Sequence, residues 1–153
     1  MNQSFIIRDA LPEEAGQLSL IAQHAKAHWG YAPEQINLWR GSFLTVTADY
    51  IAAHQVWVAV AGSDRPVGFA ALEHHEDGVV LEHLWVLPEY MGRGIGAGLM
   101  ARAANEAPAF TFTSDPHADA FYYKLGARKV GEVYSARQGI ILTRFVFRKH
   151  GNT

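Results

Sequence analysis

The sequence predicts an α/β domain of the α+β kind, with a mixed, mostly antiparallel twisted sheet flanked by helices. Three observations predict it. Short apolar runs with strand character are joined to their neighbours by turns at three places, which makes most of the pairing antiparallel. Helical stretches fall between these groups of strands and do not follow every strand, so a regular parallel α/β repeat is absent. The chain of 153 residues is 49% hydrophobic and 18% charged, enough to close one core over a single domain spanning residues 1–153.

The elements follow in order. Phe5 to Arg8 reads as a strand. Pro12 opens a helix reaching about His28, with Leu18, Ile21, Ala22 and Ala25 as its buried stripe. Trp29, Gly30, Tyr31 and Pro33 break it. Shorter helical pieces cover Glu34 to Trp39 and Thr47 to Ala53. Gln55–Ala61, Val67–Glu73 and Val79–Leu87 are strands of a meander, separated by turns at Gly62–Pro66 and His75–Gly78. Pro88 stops the third of these. Ile95 to Asn105 is helical and Pro108 limits it. Phe110 to Thr113 is a strand. Asp115 caps a helix with Pro116 at its first position, and Gly126 suits the left-handed residue that ends it. Val130–Tyr134 and Ile140–Phe147 close the chain as a hairpin.

Composition excludes several classes. The net charge of -2 lacks the basic surplus of a nucleic-acid binder. The absence of cysteine rules out disulfides, thiolate metal sites and a cysteine nucleophile. The N-terminal apolar run is too short for a signal peptide, and no run approaches membrane-spanning length. A cytoplasmic enzyme without nucleic-acid or membrane partners is expected. His24 and His28 have i,i+4 spacing but no acidic ligand at metal-motif spacing, so no metal is expected.

The chemistry concentrates around Gly92, Gly94 and Gly96, between an apolar strand and a helix. Bare amides at a helix start hold a phosphate, so a pyrophosphate ligand is expected. Gly92-Arg-Gly94-Ile-Gly-Ala97 formally satisfies a dinucleotide pattern, but Pro88 to Met91 separate it from its strand and a meander precedes it. A P-loop is excluded because no Gly-Lys-Ser/Thr follows.

Met91-Gly-Arg-Gly94-Ile-Gly96 resembles the Gln/Arg-x-x-Gly-x-Gly/Ala signature of the GNAT superfamily of N-acetyltransferases, and the resemblance covers nearly the whole chain. It implies a sheet splayed between strands four and five, and acetyl-coenzyme A as cosubstrate. The backbones of Met91, Gly92, Arg93, Gly94, Gly96 and Ala97 are then the pyrophosphate donors, with Arg93 adding charge. Met91 departs from the usual Gln/Arg, which removes a side-chain contact but keeps the backbone donor. Leu84, Trp85, Val86 and Leu87 would present backbone groups to the pantetheine arm, with the Val86 amide at the thioester carbonyl. Phe121-Tyr-Tyr-Lys-Leu-Gly-Ala127 resembles the family's second signature and makes Tyr122 the general acid for the departing thiolate. Asp115 falls where many members carry an asparagine that contacts the coenzyme, although capping a helix is a sufficient role for it.

An attacking amine must lose a proton, which asks for a base. Glu82 and His83 both lie on strand four. Strand alternation sends neighbours to opposite faces, so at most one faces the cleft. Glu82 is preferred narrowly, and a water chain stays open as the alternative. Trp29 and Tyr31 are expected to roof the acceptor pocket, since loop aromatics make rigid walls. The resemblance implies direct acetyl transfer to a primary amine in a ternary complex, and a homodimer, which is common in the family. A noncatalytic acyl-coenzyme A sensor on the same fold and a dinucleotide-binding module are the alternatives.

Overall fold

The computed structural model describes residues 4–149. Strand β1 is Ile6–Asp9; a 3-10 turn at Pro12–Glu14 leads into α1, Ala15–Ala27; α2 is Pro33–Arg40 and α3 is Ala48–Ala53. Strands β2 (Gln55–Ala61), β3 (Arg65–His75) and β4 (Gly78–Val86) form the meander. Then come α4 (Ile95–Glu106), β5 (Ala109–Ser114), α5 (Asp119–Lys124), β6 (Arg128–Ser135) and β7 (Ile140–Arg148). All of these elements were anticipated, to within a few residues at their ends. The largest differences are the 3-10 turns that begin α1 and α5, where a proline sits at the first position.

One seven-stranded sheet has the order β1-β2-β3-β4-β5-β7-β6. Every neighbouring pair is antiparallel except β4 and β5, which run parallel and share a single paired position, Val80 with Thr111. Beyond that point the two strands separate, and the sheet opens into a cleft.

Helices cover both faces. Gly68 on β3 faces Ile95 and Leu99 of α4, where an added Cβ would lie 3.2 and 3.4 Å from their side chains. Its neighbour Phe69 points the other way, towards His83 and the α1–α3 side. The predicted stripe of α1 is buried as expected: Leu18, Ile21, Ala22 and Ala25 are all 4% exposed or less. On the opposite face, Ile95, Leu99, Met100 and Ala103 seat α4 in the core. A tight approach also joins α4 to α5. A Cβ on Gly96 would come within 2.8 Å of the Phe121 ring, so a larger residue there would push that ring from its place between the helices.

β3 and β4 do not pair evenly. Ala71 opposes His83 but Leu72 opposes Leu81, so Glu82 is the extra residue of a β-bulge.

Candidate active site

The opened sheet encloses a cleft of about 620 Å³. Its walls come from β4 (Leu84, Trp85, Val86), β5 (Thr111, Thr113), the start of α4 (Gly96), α5 (Phe121, Tyr122), α1 (Ala25, Lys26) and the β6–β7 hairpin. Trp29 and Phe43 close the far end.

Hydrogen bonding sorts the backbone of β4. The Leu87 amide donates to the Val67 carbonyl at 2.8 Å, and the Leu87 carbonyl accepts from Tyr90 at 2.9 Å. Its amide is taken, its carbonyl already accepts one hydrogen bond and its side chain is 7% exposed, so Leu87 has no free donor for a pantetheine arm. Amides alternate between strand edges, so the Trp85 backbone also faces β3. The amides of Leu84 and Val86 face the edge that β5 has left, and they are the bare donors of the cleft.

The glycine turn leads directly into α4. Gly92 and Gly94 have φ of 80° and 86°, conformations that favour glycine, and Gly94 is the N-cap. No side chain caps this end. The amides of Ile95, Gly96 and Ala97 occupy the first turn, whose N–H groups have no intrahelical acceptor. The Ile95 amide was not anticipated, because the family pattern is written on the glycines while the donor set belongs to the helix end. A Cβ on Gly92 or Gly94 would meet nothing within 4 Å, so open space lies against this turn. Met91 lines the cleft, while Arg93 lays its guanidinium 4.8 Å from the Tyr90 ring centroid.

Tyr122 lies in the cleft wall, 8% exposed, packed against Phe112, Phe121 and Phe145. Its hydroxyl has no hydrogen-bond partner among the described residues. Burial, reinforced by the Asp119 charge, pushes its pKa up, so the phenol keeps its proton. Tyr123 is 49% exposed with its ring against Phe145 and does not line the cleft.

The bulge changes the reading of Glu82 and His83. Both line the cleft, because the extra residue breaks the alternation that predicted opposite faces. Their chemistry differs. His83 is wedged between Tyr50 and Phe69, and burial pushes its pKa down to about 4. Its Nδ1 accepts from Trp85 Nε1 at 2.9 Å, which places the remaining proton on Nε2 and leaves no lone pair free. Glu82 forms no hydrogen bond among the described residues, and Arg137 Nη2 stands 4.0 Å from its Oε2. Burial and the Glu73 charge raise its pKa, and Arg137 opposes them.

The acceptor end is tied by a buried ionic cluster that was not anticipated. Lys26 is 2% exposed. Its Nζ donates to Asp115 Oδ2 at 2.7 Å and to Gln138 Oε1 at 2.8 Å, inside a cage of Tyr31, Trp39 and Phe43 rings. Tyr31 donates its hydroxyl to the same Oδ2 at 2.7 Å, and Oδ1 accepts from the His117 amide at 3.0 Å. Burial opposes the Asp115 charge, but Lys26 and Tyr31 outweigh it and hold the pKa down at about 2. Burial lowers the Lys26 pKa and Asp115 pulls it back up, so the contact is a charged pair.

Asp115 lines the cleft, and both its oxygens accept from protein donors, with His117 Nδ1 also 2.7 Å from Oδ1, which fits its capping role. One expectation is corrected here: Tyr31 does not line the cleft; it stands behind the wall, edge-on to Trp39. Trp29 does line it, stacked on His117 with ring centroids 5.4 Å apart. Among the described residues no three His, Asp or Glu side chains are placed to hold a metal ion, and no helix is long and apolar enough to cross a membrane.

Known proteins share this fold. Residues 52–126, from α3 to the end of α5, match the acetyltransferase (GNAT) domain family. The uncharacterized N-acetyltransferase YafP of Escherichia coli K12 is 29% identical over 146 residues, covering 93% of each chain. The peptidyl-lysine N-acetyltransferase YjaB of Salmonella typhimurium is 32% identical over 98 residues, covering 62% of this chain and 65% of its own. The crystal structure of PaiA N-acetyltransferase from Thermoplasma acidophilum in complex with coenzyme A superposes with a TM-score of 0.78 at 19% identity, over 95% of this chain and 99% of that one. With the family match over the glycine turn and Tyr122, and with the sheet opened between β4 and β5, the chain carries the N-acetyltransferase fold of the GNAT superfamily.

Proposed function

We propose that the protein transfers an acetyl group from acetyl-coenzyme A to a primary amine by direct attack within a ternary complex. The observation that carries this reading is the bare β4 edge. It runs from the uncapped start of α4 past the Val86 amide, and Tyr122 stands in the same cleft. In this reading the pyrophosphate rests on the amides of the glycine turn and the first turn of α4. The pantetheine arm completes the β4 edge, and the thioester carbonyl meets the Val86 amide.

Each atom has a destination. The acceptor enters as an ammonium and gives one proton to Glu82, directly or through water. Glu82 suits this task better than His83, whose only lone pair is held by Trp85. The neutral amine attacks the carbonyl carbon, and the Val86 amide stabilises the oxyanion. The carbon–sulfur bond then breaks. Tyr122 protonates the sulfur, the second nitrogen proton returns through water to the Tyr122 phenolate, and Glu82 releases its proton to solvent. The products are the N-acetylated amine and coenzyme A. No covalent enzyme intermediate is required.

A noncatalytic acyl-coenzyme A sensor would need the β4 edge but not the open acceptor end. A dinucleotide module would need the repeated parallel unit that this sheet lacks. The primary-amine class includes the lysine side chain for which the YjaB relative is named.

Tyr122→Phe deletes only a hydroxyl. It should lower kcat by about 10- to 1000-fold, within and around the usual range for acid–base catalysis. Coenzyme A affinity should hold, and Tyr123→Phe should be nearly silent. Steady-state rates with a competent amine check this. Full activity in Tyr122→Phe, or a larger loss in Tyr123→Phe, would remove the assigned acid.

A further inference from the structure

We propose that the acceptor is an α-amino acid whose amine is taken by Glu82, whose carboxylate is taken by Arg137, and whose apolar side chain lies against Trp29 and Phe43. The proposal rests on the acetyltransferase reading of the cleft and narrows its amine.

The β6–β7 loop delivers Arg137. Gln138 is anchored by the buried Lys26, and its amide donates to Ser135 Oγ at 3.1 Å. The Gly139 amide donates to the Ser135 carbonyl at 2.6 Å, with Gly139 at φ 73°. Gln138 is therefore tied to the wall, and the turn that carries Arg137 is closed by its own hydrogen bonds. The Arg137 guanidinium stacks over Phe43 at 5.0 Å and stops 4.0 Å from Glu82. That separation exceeds a hydrogen bond, and neither side chain forms one among the described residues. Opposite charges thus stand side by side in the cleft with their donors and acceptors open. An α-amino acid presents an ammonium and a carboxylate on adjacent carbons, which suits two such groups at this spacing.

The wider charge pattern agrees. Lys26 is neutralised by Asp115. Arg144, opposite Thr113 on the neighbouring strand, lines the same cleft and has no ion pair or hydrogen bond among the described residues. The cleft therefore holds Glu82 and Arg137 in a loose ion pair without hydrogen bonds, with Arg144 as an additional positive charge. An acceptor with a second ammonium would bring like charge to the arginines, whereas a carboxylate is attracted. The rings of Trp29 and Phe43 leave an apolar wall for a side chain.

The test uses the full chain with acetyl-coenzyme A and three matched series. L-Leucine, L-methionine and L-phenylalanine are each compared with their amide and their decarboxylated amine, alongside Nα-acetyl-lysine amide. At least one free amino acid should exceed its amide and amine in kcat/KM by about tenfold or more, the value of a charge-assisted hydrogen bond. Arg137 is 53% exposed, so Arg137→Gln should fold normally. That variant should collapse the ratio, and Arg137→Lys should restore part of it. Equal use within each series, preference for the lysine probe, or a ratio that survives Arg137→Gln would overturn the proposal. Should acetyl-coenzyme A raise the melting temperature while no amino acid is acetylated, this proposal fails and coenzyme binding stands. Absence of any thermal shift with acetyl-coenzyme A would remove both.

Discussion

The two ends of the cleft are built by different means. The coenzyme end is made of main chain: a turn with Gly92 and Gly94 at positive φ, an uncapped helix start, and the bare edge of β4. The acceptor end is made of side chains locked by charge: Tyr31, Asp115, Lys26 and Gln138, linked in that order by hydrogen bonds of 2.7–2.8 Å. A backbone site tolerates side-chain change, which is why Met91 can stand where the family carries Gln or Arg. A side-chain site does not, because removing one buried charge strands its partner. The two ends should therefore fail in different ways when broken.

The largest effect is expected at the acceptor end. Lys26→Met keeps the volume of the stem but leaves the Asp115 carboxylate buried without its cation, held by the Tyr31 hydroxyl, the His117 amide and His117 Nδ1. Breaking a buried pair in this way costs about 3–5 kcal/mol. Denaturant unfolding should show that loss, while the folded variant keeps its coenzyme A affinity. A stability change near zero would mean that the cluster does not hold this wall.

The next effect is one of pH. Buried His83 has a folded pKa of about 4 against an ordinary 6.5. The unfolded chain binds this proton first, so the fold is at full strength above about 6.5 and weakens as pH falls towards 4. The span is worth about 3 kcal/mol. His83→Gln keeps an acceptor for Trp85 Nε1 and removes the titration. Unfolding free energies measured between pH 7 and 4 should fall less in the variant than in the parent. Parallel pH profiles would contradict a neutral, buried His83.

The smallest effect belongs to the coenzyme end. Gly94→Ala places a side chain at φ 86°, where an L-residue is strained by about 1–2 kcal/mol. Nothing lies near the added Cβ, so the strain acts on the turn and not on the core. Calorimetric titration should show acetyl-coenzyme A affinity falling by about tenfold or more, the equivalent of that strain. The melting temperature should change only slightly. Unaltered affinity would mean that the turn does not present the pyrophosphate donors.

The same contrast explains what the sequence disclosed. The glycine turn and the helix start behind it were legible because local backbone geometry demands glycine at set spacings, and because Pro88 and Pro116 mark element boundaries. The strands, the α1 stripe and Gly126, at φ 95°, were legible for the same local reasons. The acceptor cluster was not. Its contacts join residues 84, 89 and 112 positions apart, and no local pattern marks Lys26 as buried. Tyr31 was misplaced because a family resemblance names a region of the chain, while wall depth depends on tertiary placement. Glu82 and His83 were read through strict alternation, which one extra residue in β4 overrides.

The central claim is that acetyl-coenzyme A is held by the main chain along the β4 edge and the start of α4. Amide chemical shifts recorded during titration with acetyl-coenzyme A, and separately with NAD, test it most directly. The account predicts that acetyl-coenzyme A moves the amides of Val86, Gly92, Gly94, Ile95, Gly96 and Ala97 together, leaves the Leu87 amide hydrogen-bonded to Val67, and that NAD moves none of them. Shifts confined to the acceptor end, or the same set moved by NAD and not by acetyl-coenzyme A, would contradict it.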